Sequence, residues 1–378
     1  MTIVLIISIC LILFIYFGYP LSLYRMNFMK KEKRNYKEIT PKVSIFIPAY
    51  NEENVIADKI NNCLKLEYPF DSFEILVLTN GCTDKTEEIA SSFVDSRLKV
   101  INFKEKVGKV AALNHAVPNS SGSILLFTDA NAFYKKDAVK RMVRAFNNPK
   151  IAGVCGCLTY NDGTSEVSSD VETIYWKYEN KIKELESAAN TLVAANGSIY
   201  AIRREYYESI DEDLADDFVI PIRIAKARKK LIFEKKAEAY EKLPEKKIEE
   251  FSRRVRIINQ GYRATIKNGK EIIQAGPLFV YEFLCHKVLR WLVPVFMILI
   301  FMSNIFLLSQ SFYRYLFYLQ AIFYMLALVG IFKGDRIKIK LIKVIAYFCL
   351  LNAAALIGLF SFLFNIKYIT WEKASSTR

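Results

Sequence analysis

The chain of 378 residues is 52% hydrophobic and 14% aromatic yet 24% charged, so its apolar residues must be gathered into blocks rather than spread through one soluble core. Its formal net charge of +14 matches the basic flanks of membrane helices; no zinc-finger spacing, aromatic RNA-binding signature or basic dimerisation helix accompanies it, so no nucleic-acid partner is expected. Seven scattered cysteines and only two histidines speak against a disulfide framework and against a structural zinc site.

Ile3 to Leu23 is an almost unbroken apolar run, long enough to cross a hydrocarbon layer of ~30 Å. It lacks the basic start and small-residue cleavage site of a signal peptide. The basic residues Arg25, Lys30, Lys31, Lys33, Arg34 and Lys37 come directly after it. By the positive-inside rule residues 1–24 are a membrane helix with its N-terminus outside, and the chain beyond that helix enters the cytoplasm.

Residues 41–276 read as a soluble α/β domain. Val43–Ile47, Glu74–Leu78, Leu98–Phe103 and Ile124–Thr128 are short apolar runs of buried-strand type, and Glu53–Leu66, Lys85–Phe93 and Lys109–Val117 are helical between them. That alternation predicts a mostly parallel sheet covered on both faces. Cys155 and Cys157 share one face if their segment is a strand. Residues 277–290 suit a helix along the membrane interface. Residues 291–366 hold three apolar runs, Trp291–Ser309, Phe312–Phe332 and Leu341–Phe364. Only Arg314 is basic between the first two, whereas Lys333, Arg336, Lys338 and Lys340 come after the second. The loop charges therefore put the domain in the cytoplasm, although the tail, 367–378 with Lys367, Lys373 and Arg378, would then face outside against the rule.

Six motifs fall where strands end or helices begin. Pro48-Ala49-Tyr50-Asn51-Glu52-Glu53 succeeds the first strand, where a turn opening a helix offers backbone N–H groups to a nucleotide; Asn51 as a plain helix cap is the equal alternative. Asn80-Gly81-Cys82-Thr83-Asp84 succeeds the second, with Asp84 able to accept hydrogen bonds from a base or ribose, or to cap the next helix. In Gly108-Lys109-Val110 a cation at a helix start runs against the dipole, which makes sense if a phosphate or uracil lies opposite. Asp129-Ala130-Asn131 spaces two oxygen-bearing side chains for a hard divalent cation such as Mg2+ or Mn2+, though the same pattern also makes turns. Asp216-Asp217 opens an apolar helix, and adjacent carboxylates raise one another's proton affinity as a general base needs. Arg253-Arg254-Val255-Arg256 is either a solvated basic face or a clamp for a leaving diphosphate.

In this order, over Val43 to Arg256, the motifs resemble glycosyltransferase family 2, in particular its membrane-integrated branch of cellulose, hyaluronan and poly-N-acetylglucosamine synthases. The resemblance implies a GT-A-like nucleotide-sugar-binding domain. It places Pro48, Tyr50, Asn51, Glu52, Asn80, Asp84 and Lys109 at the donor nucleotide and Asp129 with Asn131 at a divalent metal, Mg2+ or Mn2+. It makes Asp217 the base beside Asp216, puts Asn196 and Gly197 beside the acceptor, and puts Arg253, Arg254 and Arg256 at the leaving group or acceptor. The pattern departs from the family at Asn131, where a second aspartate is usual, at Asn80, where a carboxylate is common, and at Arg253 and Ile257, which replace the glutamine and tryptophan of the last motif. The expected function is inverting transfer of a sugar from a nucleotide-diphosphate donor, UDP-linked by preference, to a hydroxyl group at the cytoplasmic membrane face, in cell-surface polysaccharide synthesis. Single transfer to a lipid or lipid-linked acceptor is the alternative within the enzyme class, and an inactive membrane scaffold or transport component the alternative outside it.

Overall fold

The computed structural model describes residues 1–28, 36–161, 169–242, 247–333, 337 and 339–368; the basic residues expected at 30, 31, 33, 34, 336, 338, 373 and 378 lie outside them. Eight strands form one sheet in the order β3-β2-β1-β4-β7-β6-β8-β5. They are β1 (Val43–Ala49), β2 (Phe73–Asn80), β3 (Leu98–Phe103), β4 (Ile124–Thr128), β5 (Phe133–Tyr134), β6 (Ile151–Asn161), β7 (Ile199–Arg203) and β8 (Lys230–Lys242). The expected helices recur as the shorter Ile56–Leu64, Thr86–Ser91 and Lys109–Ala116.

The expectation of a mostly parallel sheet holds: six of the eight strands run one way, β6 and β8 pairing parallel beyond β7. β3, β2, β1 and β4 are mutually parallel, but β7 runs antiparallel to both β4 and β6, and β5 antiparallel to β8. The sheet is mixed. In the parallel half every residue of β1, β2 and β4 is buried, as expected of strands covered on both faces. Side chains alternate between the two cores. Ile45, Ile47 and Val77 join Ile60 and Met142 on one face, and Phe46, Leu78 and Phe127 join Leu113 and Tyr200 on the other. Cys155 and Cys157 share that second face. Phe46, Phe127 and Tyr200 stack across it with ring centroids 5.5 Å and 4.8 Å apart, each such burial contributing about 1.5–3 kcal/mol.

Among the described residues three helices are long and apolar enough to cross a membrane: Thr2–Phe28, Ser311–Lys333 and Lys340–Leu363. The run expected to start at Trp291 is organised differently. Pro277–Trp291 and Val293–Phe306 form a pair bent by 55°, which counts as a fourth span only if taken together. Pro294 lies in the first turn of the second member, where it ends nothing but cannot continue the preceding ladder. Within 277–290, Phe279, Glu282, Phe283, Cys285 and His286 are buried and Leu284 is exposed. The helix Ser169–Ala189 packs Ile182, Leu185 and Ala189 against Tyr19 and Leu23 of the N-terminal helix. The helix Lys247–Lys267 lies along Lys340–Leu363, with Asn259 Nδ2 donating to the Ile366 carbonyl at 3.1 Å. The sheet domain is thus fastened to apolar helices from both ends of the chain.

Candidate active site

β1, β2 and β4 run in register, Ala49 beside Thr79 and Phe46 beside Phe127, so the turns after all three open on one edge of the sheet. This is the edge where open α/β sheets hold ligands.

The turns after β1 and β2 are laced together. Asn51, at φ 51°, accepts the Thr83 N–H at 2.8 Å and donates Nδ2 to Thr83 Oγ1 at 3.0 Å. Asp84 accepts the Glu53 N–H at 3.1 Å through one oxygen and the Thr86 N–H at 3.0 Å through the other. Pro48, Glu52 and Asn80 are buried; the Glu52 N–H donates to Thr86 Oγ1 at 2.6 Å, and Asn80 Oδ1 accepts the Val107 N–H at 2.8 Å. Lys106 stands 3.8 Å over the Tyr50 ring. Of the residues expected at the nucleotide, these six form a braced ledge at the strand ends.

The remaining expected residues meet in one cavity of about 1260 Å³ beside that ledge. Lys109, Asp129, Asn131, Asn196, Gly197, Asp216, Asp217, Arg253, Arg254 and Arg256 all line it. Asp129 is aimed by the turn that ends β4, which the buried Lys59 pins by donating to Thr128 Oγ1 at 2.9 Å and to the Ala132 carbonyl. Lys109 Nζ lies 3.5 Å from Asp129 Oδ1 and 3.6 Å from Asp216 Oδ1. Its ammonium is held above the ordinary lysine range: burial alone would lower it, and Asp129, Asp216 and Asp217 override that.

Asp216 and Asp217 open the helix Asp216–Lys226 but face different partners. Asp216 is buried and accepts the Tyr200 hydroxyl at 2.5 Å. Asp217 Oδ2 accepts the Gly197 N–H at 3.1 Å, and the Asp217 carbonyl accepts the Ala195 N–H at 2.8 Å. A side chain at Gly197 would start 3.2 Å from Asp217 Oδ2 and 3.4 Å from Lys109 Nζ, so glycine leaves those two groups open. Burial, with the charges of Asp216 and Asp129 added, pushes the Asp217 carboxyl up to about 6, against the pull of Lys109 and Lys287.

Two features were invisible in the motifs. Glu241, near the end of β8, is buried on the cavity wall and accepts Asn131 Nδ2 at 3.0 Å. Ser198 Oγ bridges the same carboxylate to Asp129, 3.4 Å from Glu241 Oε2 and 2.9 Å from Asp129 Oδ2. An amide must turn its nitrogen to a carboxylate, so Asn131 Oδ1 faces away from Glu241, buried and without a hydrogen-bond partner among the described residues. An orphaned carbonyl oxygen two residues along the same turn from the Asp129 carboxylate fits a hard divalent cation. Among the described residues no three His, Cys, Asp or Glu side chains suffice to hold a metal alone, so such a cation would complete its shell with substrate phosphates and water.

Trp291 is the second feature. Ile257 stands where the family pattern has tryptophan, but the Trp291 indole lines the same cavity from Pro277–Trp291, packed on Phe218 and Tyr262 at 5.7 Å and 5.0 Å between centroids. Arg253 and Arg254 are braced at the same wall, Arg254 Nε on Glu250 at 2.6 Å and Arg253 on the Tyr160 hydroxyl at 3.2 Å. The far end of the cavity is walled by Ile12, Tyr16 and Phe17 of the N-terminal helix and by Phe348 and Leu351 of Lys340–Leu363.

The family model described as glycosyl transferase family 2 matches residues 44–211. A probable glycosyltransferase of Bacillus subtilis is 29% identical over 57% of this chain, a match spanning about half of that relative (54%). The poly-beta-1,6-N-acetyl-D-glucosamine synthase of Staphylococcus epidermidis is 24% identical over 75% of this chain and 69% of its own length. Among solved structures, a mannosyltransferase of Pyrobaculum calidifontis in complex with GDP-Man and Mn2+ superposes with a TM-score of 0.72, covering 96% of this chain and 99% of that one at 21% identity. At that identity the likeness is one of fold.

Proposed function

Residues 44–211 form a glycosyltransferase family 2 domain, and on that premise we propose that the chain transfers a sugar from a nucleotide-diphosphate donor to a hydroxyl on a membrane-borne acceptor, with inversion at the anomeric carbon. The observation that carries this reading is the convergence of Asp129, Lys109 and Asp217, distant in sequence, on one cavity. The nucleotide rests on the ledge of Asn51 and Asp84, with its diphosphate toward Lys109 and Asp129. Asp129 and Asn131 would hold the divalent cation, with Glu241 orienting the Asn131 amide and adding its charge nearby, and the cation would supply charge neutralisation to the leaving diphosphate. Asp217, with a proton affinity suited to neutral pH, takes the proton of the acceptor hydroxyl as its oxygen attacks the anomeric carbon and the bond to the diphosphate breaks. Lys109 meets the charge that develops on the leaving group.

The acceptor enters from the side of the apolar helices, since those helices supply the far wall. With the sheet domain cytoplasmic, as the loop charges favour, this is the cytoplasmic membrane face. The match to a polysaccharide synthase supports repeated transfer; the apolar cavity wall and Ile257 support single transfer to a lipid-borne acceptor. A screen of UDP- and GDP-linked sugars with detergent-solubilised protein, scoring hydrolysis, transfer and product length, tests both. Failure of any nucleotide with Mn2+ to raise the melting temperature would return the chain to the scaffold reading.

A further inference from the structure

Lys183 and Lys287 line the cavity as electrostatic neighbours, and neither is placed at the donor, the cation or the leaving group above. Lys183, on Ser169–Ala189, is 6% exposed. Lys287, on Pro277–Trp291, has Lys183, Arg290, Glu179 and Glu186 as electrostatic neighbours and is close enough to Asp217 to act on its proton affinity. Among the described residues neither ammonium has a hydrogen bond, or a carboxylate oxygen within 4.0 Å.

The nearby carboxylates each bind other partners, although Glu186 does so through Oε1 alone and its Oε2 has no hydrogen-bond partner among the described residues. Glu179 takes Arg290 and, at 3.3 Å, His286 Nε2. Glu186 takes His286 Nδ1 and the Tyr19 hydroxyl, each at 2.6 Å. Glu282 accepts Asn190 Nδ2 at 3.0 Å. Two neighbouring like charges, Lys183 buried and Lys287 half-buried, each with three donors and no direct partner, cost stability unless an anion lies between them. Both side chains line the cavity.

We propose that Lys183 and Lys287 form an anion subsite that holds a phosphate carried by the acceptor, so that the acceptor class is a phosphate-bearing membrane lipid whose hydroxyl is presented to Asp217. This rests on the glycosyltransferase reading and deepens it. The donor diphosphate is provided for by Lys109 and Asp129 at the strand ends. The lysine pair instead lies on the two helices that pack against Tyr19 and Leu23 of the N-terminal membrane helix. Tyr16, Phe17, Phe348 and Leu351 continue the same cavity with apolar surface, as a lipid chain needs behind its phosphate. Bond making is unchanged: the hydroxyl proton goes to Asp217, the new glycosidic bond forms, and the nucleotide diphosphate leaves, while the lipid phosphate is only gripped.

The test is ligand binding by the full-length protein in detergent, followed by thermal shift. The probes are short-chain phosphatidylglycerol and phosphatidylinositol, which carry both a phosphate and free hydroxyls, diacylglycerol and a polyprenol as uncharged counterparts, inorganic phosphate, and UDP or GDP with Mn2+. The phosphate lipids should raise the melting temperature and their uncharged counterparts should not. K183Q and K287Q should each weaken the lipid phosphate about tenfold or more, K183R and K287R should restore it, and nucleotide with Mn2+ should bind all variants as before. Equal stabilisation by the uncharged lipids, or a phosphate-lipid shift that survives K183Q/K287Q, would overturn the proposal. So would loss of nucleotide binding in these variants with folding intact, since the pair would then serve the donor. If inorganic phosphate matches the lipid in affinity, the subsite takes free phosphate and the lipid assignment falls. If K183Q fails to fold, the variants of the less buried Lys287 decide alone. An absent nucleotide shift in the unaltered protein would instead strike the glycosyltransferase reading itself.

Discussion

Asn131 donates its amide nitrogen to Glu241 at 3.0 Å, so the residue that stands in for a second aspartate is matched to a carboxylate from the far end of the sheet. The negative charge missing at 131 is supplied at 241. Restoring an aspartate by N131D would set two carboxylates about 3 Å apart, a repulsion and lost hydrogen bond of roughly 1–3 kcal/mol. We predict that N131D lowers the melting temperature of the metal-free protein and that E241Q weakens Mn2+ about tenfold in the presence of nucleotide. The exchange N131D/E241Q should recover both. Melting curves with and without Mn2+ read this directly, and wild-type behaviour of E241Q would remove Glu241 from the metal site.

Asp217 has the Gly197 N–H as its hydrogen-bond donor and a proton affinity near neutrality. D217N keeps the size and the hydrogen bond but cannot take a proton. It should lower kcat about a hundred- to ten-thousandfold while leaving the nucleotide Kd within a few-fold. Near-native turnover would exclude Asp217 as the base.

The same group sets the pH profile. A base with a carboxyl at about 6 must lose its proton to work, so activity should fall as pH drops through 6. Burial raises Asp217 most, and the Asp216 charge next; D216N should therefore move the acid limb to lower pH, and an unmoved limb would assign it to another group. Stability has the opposite sign. A carboxyl whose folded value is raised binds protons better when folded, so its cost is absent at low pH and grows as pH rises from the unfolded range of about 4 to 6. D217N should be more stable than the parent above pH 6, by up to about 2–3 kcal/mol, and equal to it near pH 4.

Legibility in the sequence tracked chain locality. β1 to β4 are short apolar runs closed by polar turns, and the residues that matter, from Asn51 to Asp129, sit at their carboxyl ends in plain view. The other half of the sheet carried no such signal. β6 is interrupted by Gly153 and Gly156, and β8, with four lysines in Lys230–Lys242, has a charged character foreign to a buried strand, although Glu241 lies in it. Trp291 read as the first residue of a membrane run because apolar composition does not reveal a bend. Lys183 and Lys287 belong to no motif, and only the packing of their two helices brings them together.

Gly261 touches the Trp291 ring so closely that an added Cβ would lie 2.4 Å from it. G261A must displace the indole, at a cost of about 1–3 kcal/mol by overpacking. Because Trp291 borders the cavity, KM for acceptor should rise while donor hydrolysis in the absence of acceptor stays unchanged. An equal loss of both would mean that the indole serves only packing.

Glu179 and Arg290 join the sheet domain to the bent helix, and their pairing predicts an asymmetry. The Glu179 carboxyl is held well below the usual glutamate range: burial alone would raise it, but Arg290 and His286 override that. Its contribution is present above the unfolded glutamate range and is lost as pH falls below it. R290M strands a buried carboxylate and should cost about 3–5 kcal/mol at neutral pH. E179M/R290M, which removes both charges and keeps apolar bulk, should cost far less than R290M alone, because the desolvation of both ions is relieved together. Thermal melts of the two variants in the same detergent decide it. A double variant as unstable as R290M would show that Arg290 acts through its ring contacts with Tyr16, Tyr175 and Tyr178 rather than through Glu179.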